Sequence, residues 1–190
     1  MDASTPLACR RRRFGLLLLA PICLILSQTA WCAQAETVAA VSEYQMKAAF
    51  VFNFAVFTEW PAAALANGAP LALCTYAGNE LQPFLASLND KVVNGHKIVV
   101  KTLAAAASLH ACHVLVLDSA DRKLWSRIKQ TATEASILTV SNEPGIDDDG
   151  TVISLTFENR RIGFDVDLAA ARQSRLTLSS KLLRLARNTK

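Results

Sequence analysis

Residues 43–61, EYQMKAAFVFNFAVFTEWP, form an apolar run in which only Asn53 and Thr58 are polar between Lys47 and Glu59. Its length exceeds that of a usual strand and predicts a helix. At about 100° per residue, Met46, Phe50, Phe54 and Phe57 share one face, and Ala48, Phe52, Ala55 and Val56 lie roughly opposite. A helix apolar all round needs cover on both sides, so it either runs through a core or buries one face and offers the other to a partner. A bilayer span takes ~20 apolar residues, which this run does not reach. Trp60-Pro61 ends it, because Pro disfavours helix in the residue before it, and Ser42 stands where a cap belongs. Asn53, a polar island, is expected to satisfy a buried backbone group.

Shorter periods follow. LALCTYA (71–77) predicts a buried strand, and Asn79 opens a helix to residue 89 with Leu81, Phe84, Leu85 and Leu88 on one stripe. Asn94-Gly95 between β-branched runs predicts a hairpin within 92–103, and 104–110 reads as a helical turn. HVLVLD (113–118) and SILTV (136–140) have the near-continuous apolar character of strands covered on both faces, with an amphipathic helix over 121–131 between them. Beyond the acidic loop 143–150, segments 151–158 and 161–167 alternate around Asn159-Arg160 as an antiparallel hairpin, and helices are expected at 168–173 and 179–188. Strands alternating with helices, closed by a hairpin, predict an α/β three-layer domain.

The first 35 residues change the charge and cysteine picture. Arg10–Arg13, an apolar stretch over 14–26 broken by Pro21, and Ala33-Gln34-Ala35 have the layout of a secretory signal peptide cleaved after Ala35. A single domain over 36–190 remains. The whole chain carries a net +4, but cleavage removes Arg10–Arg13 and Asp2, leaving 16 basic and 15 acidic residues. The basic character thus belongs to the targeting segment and gives no footprint for nucleic acid. Cys9, Cys23 and Cys32 leave as well, so the exported chain keeps Cys74 and Cys112. Two thiols in an oxidising compartment point to one disulfide, with two buried free thiols as the alternative.

Candidate chemistry is sparse. Cys74, His110, Cys112 and His113 are of zinc-ligand type, yet adjacent Cys112 and His113 at a strand start should face opposite sides. The same placement opposes a Cys–His nucleophile pair. Asp147-Asp148-Asp149 lacks the spacing that gathers oxygens around a cation and reads as a solvated turn. Gly78 follows a strand where α/β folds often bind ligands, but no phosphate-binding glycine motif or nucleophile elbow is present. No cofactor, metal or catalytic residue is therefore expected. Lys181, Arg184 and Arg187 form a stripe that reads as a solvated face or as an electrostatic contact with an acidic partner or anionic headgroups. Ser179-Ser180 read as helix caps. Asp165 and Asp167 read as solvent-facing or capping, with Asp167 at the start of the next helix.

Several stretches together resemble the YfiR-like family of exported bacterial proteins: KAAFVFNFAVFTEWP (47–61), LCTYAGNEL around Cys74, CHVLVLD (112–118), ILTVSNEPG (137–145) and IGFDVDLAAARQSRLTLSSKLLRLA (162–186). Val56, Asp167 and Asp149-Gly150-Thr151 depart from the family's usual residues, and a second cysteine pair found in some members is absent. The resemblance implies a Rossmann-like three-layer sandwich in the periplasm, with a mostly parallel sheet and a C-terminal antiparallel hairpin. It also implies a regulatory protein that represses a membrane-bound diguanylate cyclase by binding its periplasmic sensor domain. The expected partner surface comprises Phe50, Phe54, Phe57, Trp60, Lys181, Arg184 and Arg187, and the over-apolar first helix also favours a homodimer. The alternative function is a periplasmic small-molecule-binding module with its ligand near 78–80.

Overall fold

The computed structural model describes residues 43–104, 108–142 and 150–190. The expected signal peptide, the cap at Ser42, residues 105–107 of the 104–110 turn and the Asp147–Asp149 turn lie outside the described residues.

Near-continuous apolar runs, buried on both faces, form the inner strands of one eight-stranded sheet with helices on both faces. We number the elements in chain order: helix α1 (43–56), then β1 (Thr58–Glu59), β2 (Leu71–Tyr76), α2 (Gln82–Leu85), β3 (Val92–Val93), β4 (His96–Leu103), β5 (Val114–Leu117) and α3 (Arg122–Glu134). The remainder is β6 (Leu138–Ser141), β7 (Ile153–Glu158), β8 (Arg161–Val166), α4 (Leu168–Gln173), β9 (Thr177–Leu178), α5 (Ser180–Leu183) and β10 (Asn188–Thr189). The strand order is β10-β8-β7-β6-β5-β2-β4-β3. Strands β4, β2, β5, β6 and β7 run parallel, and β7–β8 is the antiparallel hairpin. The expected architecture is therefore present: a mostly parallel α/β sheet with a C-terminal hairpin.

The period of two divides β2 between two cores. Leu71 and Leu73 join the core under α1, α2 and α4, whereas Ala72, Cys74 and Tyr76 join Trp125 and Ala132 of α3 on the other face. The disulfide links Cys74 to Cys112 in that second core, with Cα atoms 5.9 Å apart. Both cysteines are buried. Asn94 and Gly95 adopt the left-handed conformation that closes the β3–β4 hairpin, as do Asn159 and Arg160 between β7 and β8.

Three expectations need correction. Helix α1 is not apolar all round: Lys47, Ala48, Val51, Phe54 and Ala55 are buried, while Gln45, Met46, Ala49 and Asn53 line an exposed strip. Small Ala49 and polar Asn53 are what let that strip face water, so Asn53 serves no buried backbone group. The helix also ends earlier than residue 60, giving way to β1, which pairs antiparallel with β9. The predicted helix over 179–188 is only α5, after which the chain extends into edge strand β10 beside β8. Likewise the expected 79–89 helix shortens to α2 and a single 3-10 turn, Ala86–Leu88; of its stripe, Leu81, Leu85 and Leu88 are buried and Phe84 is half-buried.

Candidate binding surface and polar crevice

The aromatic half of the candidate surface begins inside the core. Phe54 is fully buried, its ring 5.0 Å from that of Phe164 and edge-on to it. Phe50 is half-buried and packs edge-on against both rings. Phe57 and Trp60, also half-buried, follow where the helix ends. The indole N–H of Trp60 donates to the His113 carbonyl at 3.2 Å, which fixes the ring against the start of β5. Phe54 thus has no face to offer a partner, whereas Phe50, Phe57 and Trp60 each keep an accessible edge.

The basic half is divided by the chain's own ion pairs. Lys181 and Arg184 are exposed around α5, whose first turn is capped by the Ser179 hydroxyl. Arg187 is off the helix. Its guanidinium grips Asp165 at 3.2 and 2.9 Å and reaches Glu158 at 3.2 Å. This pairing holds the Asp165 carboxyl below its ordinary range, and Asn188 adds a further hydrogen bond. Arg187 also lies over Gly163, where a Cβ would stand 2.6 Å from its Cδ. Asp167 caps α4 as expected, accepting from the Ala170 N–H at 2.8 Å.

The β1–β9 ribbon joins the two halves. Thr58 pairs with Leu178, Glu59 with Thr177, and the Ser179 N–H donates to the Phe57 carbonyl at 2.9 Å. Phe57 and Trp60 are thereby set beside the segment that carries Lys181. A separate apolar element lies on the hairpin, where Phe157 faces Ile162 in register and Leu185, 69% exposed, borders a groove of about 480 Å³ with Thr156, Ile162 and Gly163. Sequence reasoning missed Phe157 and Leu185. In the sequence they look like ordinary strand and helix apolar positions; Phe157 lies where β7 runs on past its pairing with β6, and Leu185 lies beyond the short α5.

At the opposite candidate, near 78–80, the chain fills its own crevice. The Asp118 carboxylate accepts the Glu80 N–H at 3.1 Å and the Ala120 N–H at 2.9 Å. Asn79 accepts from the Leu81 N–H at 2.9 Å and donates to the Val116 carbonyl at 3.2 Å. These donors would otherwise receive an anionic ligand at the carboxyl end of a parallel sheet. Burial, reinforced by the Asp118 charge, holds the Asp121 carboxyl above its ordinary range. Helix α1 closes over this end, where the Tyr44 hydroxyl donates to Glu80 at 2.6 Å and Lys47 pairs with Glu43 at 2.6 Å.

The residues weighed for zinc do not converge. Cys74 and Cys112 are bonded to each other. His113 uses both ring nitrogens on the backbone: Nδ1 accepts the Ala72 N–H at 2.9 Å and Nε2 donates to the Ala64 carbonyl at 3.1 Å. Among the described residues no group of three or more His, Cys, Asp or Glu side chains could hold a metal ion. Nor is any described helix long and apolar enough to cross a membrane.

No curated protein matches the chain. Similar solved structures include a conserved domain protein from Vibrio cholerae O1 biovar El Tor str. N16961, at 16% identity and a TM-score of 0.45, with 68% of this chain and 57% of that one covered. Another is an ABC domain in complex with L-Trp from Streptococcus pneumonia, at 7% identity and a TM-score of 0.45, covering 68% and 58%. The chain spans less than two thirds of either structure. The YfiR/HmsC-like family profile, in contrast, matches residues 44–187, from the first turn of α1 to the Arg187 clamp. With the parallel sheet, the C-terminal hairpin and nearly all the described residues inside that match, the chain belongs to the YfiR/HmsC-like family.

Proposed function

We propose that this protein is a periplasmic regulator without catalytic activity, which binds the sensor domain of an inner-membrane diguanylate cyclase and lowers cyclic-di-GMP output. The observation that carries the reading is the β1–β9 ribbon, which sets the accessible edges of Phe57 and Trp60 beside exposed Lys181. Aromatic anchors beside cationic side chains are what an interface centre and its steering rim require. Repression follows if this surface binds the inactive arrangement of the partner better than the active one, since only that difference shifts its equilibrium. The family membership supports the choice of partner class.

Deleting the gene should raise cellular cyclic-di-GMP, and the wild-type protein should restore the low level. Phe57→Asp combined with Lys181→Glu should fail to restore it and should fail to recover the cyclase in a cross-linking pull-down from membranes. An unchanged cyclic-di-GMP level in the deletion strain defeats the proposal.

A second reading, a small-molecule-binding module, is favoured by a different feature. At the carboxyl end of the sheet, Asn142 is 2% exposed with neither end of its amide hydrogen-bonded, and the buried Tyr76 hydroxyl also has no partner. Buried polar groups are seldom left so, and a bound molecule would complete them. Saturable thermal stabilisation by a metabolite would support this module, while a flat screen would remove it.

A further inference from the structure

Strand β10 is the last of the sheet, but it meets β8 only at Asp165 and Val166. The carbonyls of Phe164 and Val166 point outward, where they accept the N–H groups of Arg187 and Lys190 at 2.9 Å. Backbone groups alternate sides along an antiparallel strand, so Ile162, two residues before Phe164, also turns its N–H and carbonyl away from β7. No described strand pairs with β8 there. The opposite rim of the sheet is closed by the chain itself. The Ile98 N–H donates to the Lys91 carbonyl at 2.7 Å, the Ile98 carbonyl accepts the Asp90 N–H at 3.0 Å, and the Val100 N–H donates to the Asn89 side chain at 3.1 Å. An unpaired donor and acceptor on a sheet rim are a template for an extended chain.

The side chains around Ile162 define what such a chain must carry. Cross-strand partners share a face. Half-buried Ile162 lies with Phe157, 36% exposed, on one face, while Arg161 lies with Glu158 and Gly163 with Thr156 on the other. The groove of about 480 Å³ is lined by this second set. Arg187 already occupies the carboxylates of Glu158 and Asp165. Arg160, Arg161 and Arg184 are exposed and form no ion pair among the described residues. One face of an added strand would therefore meet apolar Phe157 and Ile162, and the other would meet surplus positive charge. A second copy of β8 fits poorly, because it would bring its own Arg160 and Arg161 against these, and like charges oppose such a pairing.

We propose that the open rim of β8 at Ile162 receives an extended segment of the protein partner, in which apolar and acidic side chains alternate. The segment's backbone bonds to the Ile162 N–H and carbonyl, its apolar side chains cover Phe157 and Ile162, and its carboxylates face Arg161. The proposal rests on the regulator reading, to which it adds the form of the partner's contact. The test is fluorescence anisotropy of a fluorescein-labelled peptide of alternating Val and Glu, titrated with the exported protein. A peptide of alternating Val and Lys, and the Val–Glu peptide with its backbone amides N-methylated, serve as controls.

Saturable binding of the Val–Glu peptide is expected, weakening as salt is added. Ile162→Pro should weaken it at least about tenfold, since it removes the outward N–H while leaving the ladder to β7 intact. Arg161→Glu should weaken it comparably, and N-methylation of the peptide should abolish binding to the wild-type protein, which requires no variant to fold. No saturable binding, equal binding of the Val–Lys peptide, or undiminished binding of the N-methylated peptide overturns the proposal. Wild-type recovery of the cyclase by folded Ile162→Pro in the membrane pull-down would also overturn it while leaving the regulator reading in place. That reading fails separately, if deleting the gene leaves cyclic-di-GMP unchanged.

Discussion

His113 shows how one side chain can be committed on both sides. It accepts from the Ala72 N–H and donates to the Ala64 carbonyl, an arrangement available only to the neutral ring. Burial holds its pKa below the ordinary value of 6.5, and the nearby charges of Lys101 and His96 act in the same direction. Between the folded and unfolded values the unfolded chain binds more protons. The stabilisation is therefore complete above about pH 6.5 and is lost as pH falls through the folded pKa. Urea unfolding across this range should show stability declining on acidification, and His113→Leu should be less stable at neutral pH but respond less to acid. Arg187 is the other committed residue. Its ion pairs with Asp165 and Glu158 are partly exposed, so Arg187→Ala should cost only about 1 kcal/mol in the same assay. From sequence, His113 was legible as pointing away from Cys112. Its partners were not, because both are backbone groups brought in by other segments.

At the scale of elements, α1 has a buried face and an exposed strip where the sequence suggested an apolar cylinder. The period gave the helix, but Phe52 and Val56 read as a second apolar face when they are flanks of a single core. Phe52 is half-buried, with the Lys91 ammonium 5.7 Å from its ring. Phe54→Ala should therefore cost about 3–5 kcal/mol in denaturant unfolding, the range for truncating a buried aromatic. Asn53→Ala, on the exposed strip, should stay within about 0.5 kcal/mol. The Cys74–Cys112 bond closes a long loop between β2 and the start of β5. Replacing both cysteines with serine should lower stability by roughly 3–4 kcal/mol in the chain-entropy account, seen as an earlier urea midpoint. The C-terminal helix was overestimated for a clear reason. Residues 179–188 have helical composition, yet Arg187 and Asn188 find Asp165 on β8, and extended pairing there outweighs a few tenths of a kcal/mol per residue of propensity.

For the molecule as a whole, local pattern and long-range pairing contributed different things. The sequence alone determined the parallel strands, through the continuous apolar runs of β2, β5 and β6. It determined both hairpins, through Asn94-Gly95 and Asn159-Arg160, and it pointed to the Cys74–Cys112 disulfide through the expectation that the other three cysteines leave with a signal peptide. Each of these depends on residues near one another or on counting, which a linear chain displays. Tertiary structure decided which aromatics stay accessible, since burial of Phe54 but not Phe57 depends on where Phe164 and β9 arrive. It also decided that Arg187 clamps Asp165 instead of joining Lys181 and Arg184. Those outcomes follow from strand order, and strand order is a global minimum over contacts far apart in the chain, not a property that any one window of sequence carries.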